Sequence, residues 1–85
     1  MSYYTYIIQS KKDLSFYIGS CQDPQERLLK HNGKHNGYTA RKQPWKLVWI
    51  ELYKSKSEAF KREKYLKKQK SKLFLEKLIS NSLGT

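Results

Sequence analysis

Cysteine is nearly missing from this sequence: Cys21 stands alone, which rules out an internal disulfide. With only two histidines beside it, a tetrahedral structural zinc set within one chain is excluded as well. Acidic residues are also scarce, seven against eighteen Lys and Arg, and they are scattered. Asp23, Glu26 and Glu58 stand where helix caps belong, and Asp13 and Glu76 read as surface residues. The carboxylate cluster of a two-metal phosphoryl-transfer centre is therefore absent. Only Glu63, with Glu51 as an outsider, has an inward position without a structural task. No apolar run approaches the roughly 20 residues that cross a membrane. No signal peptide opens the chain, and neither an internal repeat nor a low-complexity segment is present. A cytoplasmic location without membrane contact is expected.

What is abundant is positive charge. A net charge of +11 over 85 residues favours a polyanionic partner, nucleic acid first. A membrane surface would need a basic helix with a wide apolar face free for lipid, whereas the basic helices here also carry core-type residues. A protein partner with an acidic surface is a third possibility. At this length one domain is expected, with only about 60 to 65% of the unfolded chain's surface buried and a correspondingly small core.

Tyr3 to Gln9 is rich in Tyr, Ile and Thr and reads as a strand with Tyr4, Tyr6 and Ile8 on one face and Tyr3, Thr5 and Ile7 on the other. A polar loop over residues 10–15 leads to a second strand, Phe16 to Ser20. If Tyr6 lies opposite Gly19, Tyr17 lies opposite Ile8; both phenols then share a sheet face, with a hollow where Gly19 has no side chain. Asp23, Pro24 and Glu26 read as N-cap, first helical residue and capping-box partner. The helix they start, to about Asn32, is expected to face Leu28 and Leu29 inward. Arg27 and His31, four residues apart, then fall at the rim of that stripe.

Residues 33–37 form a Gly- and Asn-rich loop whose amides suit either a plain connection or a phosphate. Lys46 to Tyr53 is nearly continuous apolar sequence, expected as a third strand covered on both faces, with Pro44 just ahead of it. Ser55 and Glu58 form a second capping box, starting a helix to about Lys68. Ala59, Glu63 and Leu66 fall on its inner face, with Phe60 beside them. A carboxylate on that stripe needs a basic partner, Arg27 for instance, or a cation. Lys67, Lys68, Lys70 and Lys72 form a basic run, either a solvated face or a set of phosphate contacts. Ser71 then caps a last short helix with Leu75, Leu78 and Ile79 inward. The expected architecture is α+β, a small three-stranded antiparallel sheet flanked by helices over residues 1–80, with a frayed tail over 81–85.

Tyr17-Ile18-Gly19 matches the second signature tripeptide of the GIY-YIG nucleases, and Tyr4-Thr5-Tyr6 retains the final Tyr of the first. Arg27, His31-Asn32, Thr39, Pro44, Leu47-Val48, Glu58-Ala59, Arg62-Glu63 and Leu66-Lys67 follow in the order and spacing of the small-domain pattern. The sequence thus resembles that family over residues 3 to 79. The resemblance implies a metal-dependent endonuclease acting on DNA, with RNA also open, that uses Tyr6 as base, Tyr17 beside it and His31 as a further proton acceptor. It implies Arg27 on the phosphate charge and Glu63 as ligand of a single Mg²⁺, or Mn²⁺. Gly19, Lys34, Arg41, Lys67, Lys68, Lys70 and Lys72 are the expected nucleic-acid contacts. One departure is the Asn that many members carry after the metal Glu: the only candidate, Asn81, is far along the chain. The other reading is a nucleic-acid-binding module that keeps the fold with weak or no catalysis.

Overall fold

Tyr3–Ser10 forms the central strand, β1, because both of its faces are apolar and both can be covered. The computed structural model describes residues 2–34, 37–69 and 71–83, with side chains through residue 81. His35 and Lys70 lie outside the described residues. β1 is flanked by β2 (Phe16–Cys21) and β3 (Trp45–Tyr53) in the order β2-β1-β3, all antiparallel. α1 (Pro24–His31) follows β2; a 3₁₀ helix (Tyr38–Lys42) precedes β3; α2 (Lys56–Gln69) and α3 (Lys72–Leu83) close the chain. The three-stranded antiparallel sheet with flanking helices is as expected. The 3₁₀ helix is new, and α3 is a full 12 residues that runs on through 81–83, where fraying was expected.

Period-2 alternation along β1 sorts two cores onto the two sheet faces. On one face Ile7, Ile18 and Trp49 pack with Leu66 of α2 and Leu75 of α3, with Leu78 and Ile79 against them. Thr5 on this face is buried, and its hydroxyl donates to the Ala59 carbonyl at 2.7 Å, which ties the first turns of α2 to the sheet. Tyr6, Ile8, Cys21 and Trp45 pack on the other face with Tyr17, Leu28 and Leu47, beneath α1. A β-bulge lets both tryptophans serve. Pairing runs Ile8 to Leu47 and then Ile7 to Trp49, so Val48 is the extra residue. Without it Trp45, Leu47 and Trp49 would share one face; with it, Trp45 and Leu47 fall under α1 and Trp49 under α2.

Three expectations about apolar faces need correction. β3 is an edge strand and is not covered on both faces: Ile50 and Leu52 are 47% and 59% exposed. The eight residues of α1 span only about 12 Å and roof the Trp45 end alone. Leu29 is also outward, 73% exposed. Successive helical residues differ by about 100°, so a short helix seated on one edge half-buries Leu28 and turns Leu29 to water. Phe60 likewise sits outward, beneath the Lys64 ammonium.

The N-caps form as read, while Glu26, expected as a capping-box partner, pairs with Lys30 at 3.3 Å. The Asp23 carboxylate accepts from the Gln25 and Glu26 amides at 3.1 and 3.2 Å. Ser55 Oγ accepts from the Glu58 amide and Ser71 Oγ from the Phe74 amide. At the other end of α1, Asn32 extends the sheet with its side chain: Oδ1 accepts from Trp45 N–H at 2.6 Å, and Nδ2 donates to Trp45 C=O at 3.0 Å. The Gln43 amide donates to the carbonyls of His31 and Gly33, satisfying groups that a helix end leaves open. His31 is thus fixed at the junction of α1 and β3.

Candidate active site

Tyr6 pairs with Gly19, and Tyr17 with Ile8, in the register expected from sequence. The hollow is present and the Tyr6 phenol fills it. A Cβ on Gly19 would lie 2.6 Å from the Tyr6 hydroxyl and 2.7 Å from Cζ, far inside van der Waals contact. Gly19 is itself buried, so its part is to make room for the phenol; the expected nucleic-acid contact is not on offer from a Cα facing Tyr6. Gly19→Ala should therefore lower stability by about 1 to 3 kcal/mol, the usual cost of overpacking a buried site. Urea denaturation measures this, and an Ala variant as stable as the parent would mean the phenol has room to move aside.

His31 joins the tyrosines from the last turn of α1. Its Nε2 lies 3.0 Å from Tyr6 Oη and its Nδ1 lies 3.0 Å from Thr39 Oγ1. The imidazole also tilts against the Tyr17 ring, 4.9 Å between centroids, and Trp45 packs edge-on behind Tyr17. In front of this row opens a cleft of about 640 Å³ lined by Tyr17, Arg27, Lys30, His31, Lys34 and Thr39 among others. A second groove of about 450 Å³ opens on the far side of Tyr17, over Phe16, Ile18, Leu66, Lys67, Lys72 and Leu75. Tyr17 is the wall between them.

Burial pushes the Tyr6 phenol well above its ordinary value, with Tyr17, Cys21 and Glu63 adding to the rise and the Arg27 charge opposing it. Arg27 therefore acts on the phenol in the expected sense but does not outweigh desolvation. Cys21 is likewise pushed up, first by burial, which leaves it a small strand-end residue with no thiolate to offer.

Glu63 reaches the centre from the opposite face. The residue is 8% exposed; Oε1 accepts from Ser20 Oγ at 2.7 Å and Oε2 holds the Lys67 ammonium at 2.6 Å. The basic partner suggested by sequence, Arg27, is not the one found among the described residues. Lys67 takes that place as the i+4 neighbour on the same helix. Lys67, expected as a phosphate contact, thus places its ammonium on Glu63 while its side chain stays about half exposed (52%). Ser20 could have been found by alternation, since it follows Gly19 and must face α2. Glu51, the other inward acid, accepts from Arg62 at 3.1 Å and from the Tyr53 hydroxyl, and has a structural task after all.

The remaining basic residues take distinct places. Lys34 lines the cleft and Lys72 the second groove, while Arg41 is exposed on the 3₁₀ helix and Lys68 on the outer face of α2. Lys70 lies outside the described residues. Two cleft residues, Lys30 and Thr39, carried no functional expectation. Lys30 could have been placed from its position three residues past Arg27 on α1; Thr39 depends on the 3₁₀ helix, which no pattern announced.

Among the described residues no three His, Cys, Asp or Glu come together, so a metal held by such side chains there would have at most two of them. Glu63 fits that role chemically: it is a buried anion, braced by a hydroxyl, that already holds a monovalent cation. Mg²⁺ typically binds through one or two carboxylates and keeps several waters.

Comparison with known proteins identifies the family. The model of the GIY-YIG catalytic domain matches residues 2–78. A UPF0213 protein of Staphylococcus epidermidis is 40% identical over 79 residues, covering 87% of this chain and 95% of its own. One from Staphylococcus saprophyticus is 42% identical over 66 residues, covering 76% and 79%. The solution NMR structure of the UPF0213 protein from Bacillus halodurans superposes with a TM-score of 0.56 at 38% identity, covering 94% of this chain and 84% of that one. The chain belongs to the GIY-YIG catalytic-domain family, a family of nucleases.

Proposed function

We propose that this protein is a DNA endonuclease that hydrolyses phosphodiester bonds with one divalent cation, Mg²⁺ or Mn²⁺, at Glu63 and with Tyr6 as the base. The observation that carries it is the Tyr6 hydroxyl, packed over bare Gly19 and bonded to His31 within the fields of both Arg27 and Glu63. A cation at Glu63 supplies positive charge to the phosphate in the transition state.

Each protein group then has a task. A phenol held above its usual pKa is a poor anion to keep but a good relay: it gives its proton to His31 as it takes one from the attacking water. His31 Nε2, 3.0 Å from the phenol oxygen, is placed to accept that proton. Arg27 lines the open cleft, and its planar guanidinium suits two phosphate oxygens better than a lysine would. Lys30 and Lys34 carry the backbone into the cleft and Lys72 leads it away. Phosphate contacts from Lys34, Arg41, Lys68 and Lys72 dominate binding; Lys67 is counted apart because its ammonium sits on Glu63.

Incubating labelled single-stranded, duplex, flap and junction DNAs, and RNA, with Mg²⁺ or Mn²⁺ tests the reading and identifies the substrate. Cleavage of at least one DNA is expected. Tight binding of every form with no product would favour the binding module, a reading to which the Lys67–Glu63 pair lends some weight.

Affinity should also fall steeply with salt. Replacing Lys34 and Lys72 together by Ala should flatten the slope of log K against log salt by about one to two units. An unchanged slope would make those lysines solvated bystanders.

A further inference from the structure

We propose that Thr39 is a positioning residue that sets which ring nitrogen of His31 carries the proton. The inference deepens the reading of Tyr6 as base and rests on it. The chain of contacts runs from Tyr6 Oη to His31 Nε2, from His31 Nδ1 to Thr39 Oγ1, and from the Thr39 carbonyl to the Trp45 indole N–H, at 3.0, 3.0 and 2.8 Å. Thr39 and Trp45 are both buried. Trp45 is in turn anchored through its own N–H and C=O by Asn32, the residue after His31. The hydroxyl of Thr39 is thereby held against the imidazole from two directions.

A neutral imidazole has one N–H and one lone pair, so two arrangements satisfy these distances. In one, Nε2–H points at the Tyr6 oxygen and Thr39 donates to Nδ1. His31 could not then take the phenolic proton. In the other, Tyr6 donates to Nε2 and Nδ1–H donates to Thr39. The reading of Tyr6 as base selects the second. The Tyr6 hydroxyl is buried, and among the hydrogen bonds of the described residues its partner is His31 Nε2. Only a phenol that donates to Nε2 can pass its proton on to His31. Nε2 then keeps its lone pair toward Tyr6, and the proton on Nδ1 is directed at the acceptor that Thr39 provides.

As Tyr6 hands its proton to Nε2, the imidazolium has both N–H groups directed at oxygen, one at Tyr6 and one at Thr39. Thr39 touches no reacting atom and acts only through His31. Thr39 stands in the small-domain pattern of the sequence without a role attached, and its place in the site depends on the 3₁₀ helix that follows the Gly-rich loop.

The test is ¹⁵N–¹H NMR of the His31 ring in the intact protein, which reads the tautomer without requiring activity. The neutral wild-type ring is expected to carry its proton on Nδ1. Thr39→Val, which keeps the shape and removes the oxygen, should shift the ring toward the Nε2–H form and slow cleavage about tenfold to a hundredfold, as losing a group that orients a histidine does. DNA affinity should stay within about twofold, since phosphate contacts dominate it. Thr39→Ser restores the acceptor and should restore both tautomer and rate. A wild-type ring protonated on Nε2 would overturn the proposal even if the Val variant failed to fold, and so would a Val variant with unchanged tautomer and rate. An Nδ1–H ring in a protein that cuts nothing would instead count against the nuclease reading and leave the orientation by Thr39 standing.

Discussion

Tyr6→Phe is expected to lower the cleavage rate at least about a hundredfold, the order of loss when a general base is removed, while DNA affinity hardly changes. The two effects separate because the hydroxyl and the ring do different work. The ring packs with Ile8, Cys21 and Trp45, and phenylalanine keeps that burial. Only the bond to His31 is lost, along with the hydroxyl's packing over Gly19, so the net change in stability should be within about 1 kcal/mol, a typical value for one hydrogen bond. Single-turnover cleavage and a binding titration on the same preparation measure both quantities. A Phe variant cutting at full rate would make Tyr6 a core aromatic and send the search for the base to Tyr17, which walls both grooves.

Glu63→Gln is expected to abolish metal-dependent cleavage and leave DNA affinity equal or somewhat greater, since a charge that repels phosphate is removed. The structure also decides how stable this variant should be. A pair buried with Arg27 would cost on the order of 3 to 5 kcal/mol to break. The actual partner is Lys67, an i+4 neighbour with a side chain about half exposed (52%), and such pairs contribute at most about 1 kcal/mol. Gln keeps the oxygen that accepts from Ser20. The variant should therefore fold normally, and thermal unfolding checks that loss of activity is not loss of structure. A stable Gln variant that still cleaves with Mg²⁺ would take Glu63 out of the mechanism.

Much of the fold was legible because local signals agreed with one another. The hairpin pairs in the register supposed from sequence, Tyr6 opposite Gly19, which puts both phenols on one face. The three helix starts followed from Asp23, Ser55 and Ser71, whose side-chain oxygens accept the amides that open a helix. Less legible was anything decided by what lies across a gap. The bulge at Val48 leaves no mark in a run of apolar residues, yet it determines which tryptophan serves which core. Leu29 reads as core by hydropathy and is outward because α1 is short and covers one edge. Lys67 was placed among phosphate contacts although its i+4 spacing from Glu63 was visible in the chain. Thr39 reached its position through a 3₁₀ turn with no periodic signature. The residues that meet around Tyr6 were thus readable one by one, and the contacts that join them were not.

The most direct test of the central claim is to strip the protein with EDTA, mix it with the DNA that the substrate panel selects, and follow cleavage before and after adding Mg²⁺. The account predicts no product until the cation is added and steady cleavage afterwards, with Glu63→Gln silent throughout. Equal cleavage in EDTA, or none after Mg²⁺ or Mn²⁺, would contradict it.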